Sequence, residues 1–144
     1  MITEFDEKYA FLSNFYHAPF TYDGIEYPTN EHFFQAMKTL DQEERKKIAA
    51  AATPGKAKRM GRQVQLRKDW EEVKEDIMRL GVALKFKAHP SLTKKLIETG
   101  DAYLIEGNTW CDQTWGSCNC PRHKNIPGRN LLGQILMEER EKLK

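Results

Sequence analysis

The sequence predicts a mainly α-helical fold of the α+β kind, organised as a single domain over residues 1–144 with a small β-hairpin near its N-terminus. Three observations predict it. Apolar residues recur at helical spacing in six stretches, most of them opened by a residue suited to cap a helix. One Asp-Gly pair separates two short apolar-rich runs, the signature of a tight hairpin. No internal repeat, linker or low-complexity tract divides the chain.

Composition bounds the rest. A chain of 144 residues fits one domain whose core stands without staples. Charged residues at 31% beside an apolar 40% exclude a disordered or membrane-embedded chain. The net charge of +2 is too small to imply general nucleic-acid binding. The charge is uneven, however: six Lys/Arg and no acid lie between Gly55 and Lys68. No run approaches the roughly 18 apolar residues of a spanning helix, and MITEFDEKYA lacks a signal-peptide core. A cytoplasmic protein that engages no membrane is the expectation. Three cysteines within ten residues, an odd number, argue against a secreted disulfide framework.

Taken in order, FLSNFYHAP at 11–19 sets aromatic and apolar groups around Ser13 and Asn14. Phe20–Tyr27 follows as the hairpin: glycine tolerates the positive φ of a type I′ turn at Asp23-Gly24. That register puts Phe20, Tyr22, Ile25 and Tyr27 on one face and Thr21 and Glu26 on the other. Thr29 suits the N-cap of a helix from Asn30 to Leu40, with Phe33, Met37 and Leu40 on its apolar stripe. A further helix follows Asp41. Thr53-Pro54 opens the next, since proline is favoured at the first helical position; Ala57, Met60 and Val64 face inward there. Asp69 caps a long helix whose stripe runs through Trp70, Val73, Ile77, Leu80 and Leu84. Pro90-Ser91 starts a short helix that Gly100 ends, Ala102–Glu106 suits a brief strand, and Leu131, Leu132, Ile135, Leu136 and Leu143 mark a closing helix.

Three constellations carry possible chemistry. Glu31, Gln35 and Lys38 share a helix face at i, i+4 and i+7. Beside an apolar pocket, burial would push the acid and the amine toward acid–base use; helix-dipole preference alone also explains a Glu first and a Lys last. Arg59 and Arg62, the pair in the basic run best placed to share a face, suit phosphate oxygens, or simply a solvated surface. In the segment Cys111–Gly133, poor in secondary-structure signals, Cys111, Cys118, Cys120 and His123 follow C-x6-C-x-C-x2-H. That set fits a structural zinc ion, or free thiols in a tryptophan-rich loop. Asp112, between Trp110 and Trp115, can meet a stacked base and its sugar, or cap a turn. The segment leads into the closing helix, which is expected to pin it. No cofactor is otherwise required.

The motifs together resemble a known family. LSNFY at 12–16, the pattern G-x-x-Y/F-P-T-x-E-H-x-F-Q-A-x-K from Gly24 to Lys38, and A-K-x-x-G-R from Ala57 to Arg62 come first. Trp70, Lys85-Phe86, TGDAYLIE at 99–106, D-x-x-WG at 112–116 and NLLGQILMEER at 130–140 complete it. These are similar to the NADAR superfamily, the YbiA-like N-glycosidases, over nearly the whole chain. The resemblance implies a mainly helical YbiA-like domain that hydrolyses the C1′–N bond of a nucleotide-like substrate. Small ribosylamino-pyrimidine phosphates of riboflavin synthesis, or ADP-ribose on guanine in nucleic acid, are the partners it implies. It assigns Ser13, Asn14 and Phe15 to the sugar–phosphate site, with Asn130 joining the substrate-binding set, and it raises Glu31, Lys38, Asp112 and Trp115 as site residues. The chain departs from the family pattern at Cys118, where relatives carry glycine two residues after the WG.

Cleaving a ribosyl C1′–N bond passes through an oxocarbenium-like state, so a carboxylate, Glu31 or Asp112, must face the developing charge. Lys38 can protonate the departing nitrogen or, if neutral, attack the sugar carbon as an imine-forming amine; the sequence leaves both open. Trp110 or Trp115 would stack the base, and Arg59 or Arg62 would hold a phosphate. A non-catalytic nucleotide or ADP-ribose reader, and a zinc-clipped interaction domain, remain as alternatives.

Overall fold

A computed structural model describes residues 1–144. A 3₁₀ turn at Glu7–Leu12 precedes β1 (Phe20–Tyr22), β2 (Ile25–Tyr27), α1 (Asn30–Ala36), α2 (Gln42–Ala49), α3 (Pro54–Gly61) and α4 (Trp70–Ala88). After them come α5 (Pro90–Glu98), β3 (Gly107–Asn108), β4 (Ser117–Cys118) and α6 (Leu131–Leu143). The fold is mainly helical with few, short strands. Its residues cluster as two compact units, Asn14–His89 and Met1–Ser13 with Pro90–Lys144. No helix is long and apolar enough to cross a membrane.

In the unit Asn14–His89, β1 and β2 pair antiparallel with Phe20 opposite Tyr27 and Tyr22 opposite Ile25. Asp23 and Gly24 both have positive φ, 51° and 79°, as the predicted turn requires. The inward face of this hairpin wraps Phe33 of α1: the rings of Phe20, Tyr22 and Tyr27 stand edge-on or nearly so, with centroids 5.3, 5.4 and 5.4 Å away. Tyr27 and Phe33 are fully buried, and burying a Phe side chain is worth ~1.5–3 kcal/mol. The Tyr27 hydroxyl is buried without a hydrogen-bond partner, and burial pushes its pKa to about 12. α1 packs against α2, α3 and α4.

Two elements of this unit differ from the sequence reading. α1 ends at Ala36 rather than Leu40, and Leu40 is exposed at 64% instead of completing the stripe. The reason is a clasp from Arg67: its backbone N–H donates to the Lys38 carbonyl at 2.8 Å and its Nη1 to the Met37 carbonyl at 3.3 Å. Those carbonyls therefore find partners outside a helix. The same Arg67 holds both Asp69 oxygens, at 2.7 and 3.1 Å. Asp69 thus stands at the N-cap of α4 without capping it. The buried stripe of α4 runs through Trp70, Ile77, Met78, Gly81, Val82, Lys85 and Phe86, rotated from the predicted one, while Leu80 and Leu84 are half-buried.

In the other unit, Ile2 bridges Leu104 in parallel, which is all that forms of the strand expected at Ala102–Glu106. α5 packs on α6. Buried Arg140 of α6 donates to the Thr99 hydroxyl and the Ala102 carbonyl, both at 2.9 Å, securing the chain where α5 ends. β3 and β4 form a two-residue parallel pair, too short to leave an alternating pattern in the sequence.

Candidate functional site

α1 holds its polar residues by caps and close packing. The Thr29 hydroxyl accepts from the His32 backbone N–H at 3.1 Å and lies 2.8 Å from His32 Nδ1. His32 Nε2 lies 3.0 Å from the Ala51 carbonyl. A carbonyl only accepts, so Nε2 carries the proton and Nδ1 takes the Thr29 hydroxyl proton. Burial lowers the His32 pKa, consistent with a neutral ring. His32 is therefore a tie between α1 and the end of α2.

Glu31 is 7% exposed. Its backbone N–H donates to the Asn14 carbonyl at 3.0 Å, and Gln35 Nε2 approaches its Oε1 at 3.5 Å. Asn30 Nδ2 donates to Asn14 Oδ1 at 2.8 Å, and Asn14 Nδ2 reaches Met78 Sδ at 3.5 Å. Two glycines permit this layer. A Cβ on Gly61 of α3 would overlap the Gln35 amide, and one on Gly81 of α4 would overlap that of Asn30. The oxygens of those two buried amides, Asn30 Oδ1 and Gln35 Oε1, lack hydrogen-bond partners, an uncommon state for buried acceptors.

Lys38 sits just past α1, half-buried. Burial lowers its pKa; the Glu31 charge opposes that shift, and the charges of Arg62 and Lys58 add to it. Glu31, Lys38 and Arg62 thus act on one electrostatic neighbourhood, with Asn14 bonded to its edge. Arg59 and Arg62 are both exposed, at the end of α3 and just beyond it, and Phe15 is 47% exposed. Lys58 and Lys85 lie outside the set of site residues that the sequence predicts. Lys85 is 1% exposed, its amine 5.8 Å from the Tyr16 ring centroid and 5.4 Å from that of Phe86. Burial lowers its pKa to about 7. The available signal was its position: Lys85 lies three and four residues after Val82 and Gly81, on the helix's apolar row.

In the other unit, Ser13 closes the 3₁₀ turn, its N–H donating to the Ala10 carbonyl at 2.9 Å. The loop between β3 and α6 is organised by backbone bonds. Asp112 Oδ1 accepts from the N–H groups of Thr114 and Trp115, at 3.1 and 2.9 Å, forming the turn that carries the half-buried Trp115. Trp110 is 60% exposed. The first N–H groups of α6 are satisfied by this loop: Asn130, Leu131 and Leu132 donate to the carbonyls of Gly116, Thr114 and Trp115 at 3.2, 3.1 and 3.0 Å. The closing helix does pin the loop. Asn130, buried and left-handed at φ 52°, accepts from Glu106 N at 2.9 Å and donates to the Leu104 carbonyl at 2.8 Å, so its side chain serves as a clamp.

The thiol and imidazole groups come together as the spacing suggested. The ligand atoms of Cys111, Cys118, Cys120 and His123 all lie within 4.8 Å of one another. Cys111 and Cys120 sulfurs are 3.7 Å apart, and Cys120 Sγ is 3.2 Å from His123 Nδ1. Cys118 is buried in β4, and Cys111 is exposed. The donor set is compatible with a structural zinc ion.

The model of the NADAR domain family matches residues 2–144. N-glycosidase YbiA of Escherichia coli strain K12 is 42% identical over 139 residues, 95% of this chain and 83% of that protein. An N-glycosidase of Nostoc punctiforme is 37% identical over 143 residues, covering 96% of this chain and 88% of its own. A riboflavin biosynthesis protein of Vibrio vulnificus is 36% identical over 140 residues; they span 96% of this chain and 36% of that longer one. The NMR structure of the E. coli protein YbiA matches with a TM-score of 0.81 at 41% identity, covering 99% of this chain and 82% of its own.

Proposed function

Since this chain belongs to the NADAR family and is a hydrolase of N-glycosyl bonds, we propose that its substrate is a small ribosylamino-pyrimidine phosphate, cleaved at C1′–N by Glu31 and Lys38. The observation that carries the reading is the amine of Lys38, held below the ordinary lysine range by burial and by Arg62 and Lys58, with the buried Glu31 as the opposing charge. A lysine so placed offers more neutral amine near pH 7 than a surface lysine does. The name of the V. vulnificus relative supports the substrate class; ADP-ribose on guanine is the competing substrate, to be run beside it.

In the proposed reaction the base nitrogen leaves with the C1′–N bonding pair and takes a proton, while the Glu31 carboxylate faces the positive charge developing at C1′. Lys38, as a neutral amine, bonds to C1′ and passes one proton to the departing nitrogen; the C1′–O4′ bond then opens, O4′ takes the second amine proton as a hydroxyl, and an imine is left. Water adds to that imine, freeing the lysine and returning the sugar as its hydroxyl form. One water is consumed for each C1′–N bond broken. Arg62 is the phosphate partner we favour over Arg59, because its charge bears on Lys38. In the other unit, Trp115, set by the Asp112 turn, and Trp110 present aromatic faces of the kind that stack a base.

The test is a substrate panel with detection of free base, followed by borohydride reduction during turnover. Free pyrimidine and a reduced sugar adduct on Lys38 are expected. Turnover without any adduct, retained in Lys38→Ala, would sink the imine route. Release of guanine but not pyrimidine would replace the substrate class.

A further inference from the structure

We infer that Cys111, Cys118, Cys120 and His123 bind one zinc ion, closed by four protein ligands, that locks the loop between β3 and α6. Geometry is the first argument. With Zn–S near 2.3 Å and Zn–N near 2.0–2.1 Å, tetrahedral ligand atoms lie about 3.8 Å apart for two sulfurs and about 3.5 Å for sulfur and nitrogen. Cys111 and Cys120 stand at 3.7 Å, Cys120 and His123 at 3.2 Å, and no pair exceeds 4.8 Å. Metal uptake therefore asks at most about 1 Å of closing. An iron–sulfur cluster spreads its thiolates over several irons, whereas these four atoms surround a volume fit for one ion.

The backbone is the second argument. Cys118 Sγ accepts N–H groups from both Cys111 and Cys120, each at 3.3 Å, which holds that sulfur between the two neighbouring ligand residues. Cys111 adopts φ 68°, a left-handed conformation unusual for a cysteine, which turns the chain so that the first sulfur meets the other three groups. The His123 N–H donates to the Cys120 carbonyl at 3.0 Å, making the last two ligands one tight turn. Four occupied ligand positions make the ion structural, not a Lewis acid for the reaction.

Need is the third. Between β3 and α6 the chain has no helix, and two of its large apolar groups, Trp110 and Ile126, are exposed at 60% and 55%, so little core holds it. Yet residues 114–116 supply the carbonyls that cap α6. A metal bond set closes that loop at both ends. This inference stands independently of the glycosidase chemistry.

The experiment uses the full chain, purified under reducing conditions. Elemental analysis is expected to give about one zinc per chain, and cobalt exchange to give the visible bands of tetrahedral thiolate coordination. Chelator is expected to speed hydrogen exchange over residues 107–132 by at least about tenfold while leaving residues 14–89 unchanged. Cys111→Ser, at an exposed position, and Cys120→Ser are both expected to stay folded and to lose tight zinc. Wild-type chain that stays metal-free after incubation with zinc and reductant would overturn the inference. So would a Cys111–Cys120 disulfide in freshly reduced and re-purified protein, or zinc retained in both variants.

Discussion

The α1 helix and the tryptophan–cysteine loop both carry candidate groups, and they hold them in opposite ways. α1 is seven residues long, every one of them buried. Thr29 caps its start, Arg67 clasps its end, and the glycines of α3 and α4 let neighbouring helices close on its amides. The loop buries little besides Gly116 and Cys118, with Trp115 half-buried and Trp110 and Ile126 exposed. Its shape comes from backbone bonds to Asp112, to Cys118 and to the start of α6. The lesson concerns how precision is reached: packing fixes a polar side chain when every neighbour is rigid, whereas an exposed loop needs directional bonds or a metal.

Lys38→Ala should break the comparison on the α1 side most severely. The proposed chemistry predicts a fall in kcat of ~10²–10⁴-fold, the usual contribution of a positioned proton-transfer or nucleophilic group, with an unchanged thermal midpoint. Glu31→Gln should fall in the same range. Near-wild-type turnover in either variant would remove α1 from the chemistry.

Gly81→Ala ranks next. A methyl there meets Asn30 and the Phe33 ring, so overpacking should cost ~1–3 kcal/mol in urea unfolding. An unchanged midpoint would mean that the α1 layer is looser than its contacts imply.

Lys85 gives a pH test. In the fold its amine is neutral above about pH 7, while in the unfolded chain it stays protonated to about 10.4. Between these values the unfolded state holds the extra proton, so stability should rise with pH by on the order of 1 kcal/mol per unit. Lys85→Met should flatten that rise. Parallel slopes for both proteins across pH 7–9 would contradict it.

Asp112 gives the smallest stability effect and the sharpest contrast. Asp112→Ala should cost ~0.5–1.5 kcal/mol by losing the turn bonds, while Asp112→Asn keeps an accepting oxygen and should cost less. A large loss of kcat in the Asn variant, with its stability intact, would give the Asp112 carboxylate a chemical role beyond the turn.

Much of the fold was legible because its signals are local. The Asp-Gly turn, the Thr29 cap, the helix starts after Asp41 and at Thr53-Pro54, and the Gly100 and Asn130 boundaries each depend on a residue's own conformational preference. The cysteine spacing likewise foretold a cluster, since four ligands within thirteen residues can meet whatever surrounds them. Structure and sequence pattern part where a distant residue intervenes. Arg67 clasps the end of α1, the same side chain takes the Asp69 carboxylate from its helix, and α4 packs its Gly81 face on Asn30 and Phe33 with Lys85, rather than Leu84, inside.

By itself, then, the sequence determined where helices begin, how the hairpin turns, which residues form the NADAR motifs and which four groups can share a metal. Only the tertiary structure decided that Lys38 loses proton affinity, that Asn130 serves as a clamp and that a lysine lies buried in α4. The physical reason is range. Caps and turns are set by bonds a few residues long, whereas desolvation and packing depend on residues that sequence separation places far apart.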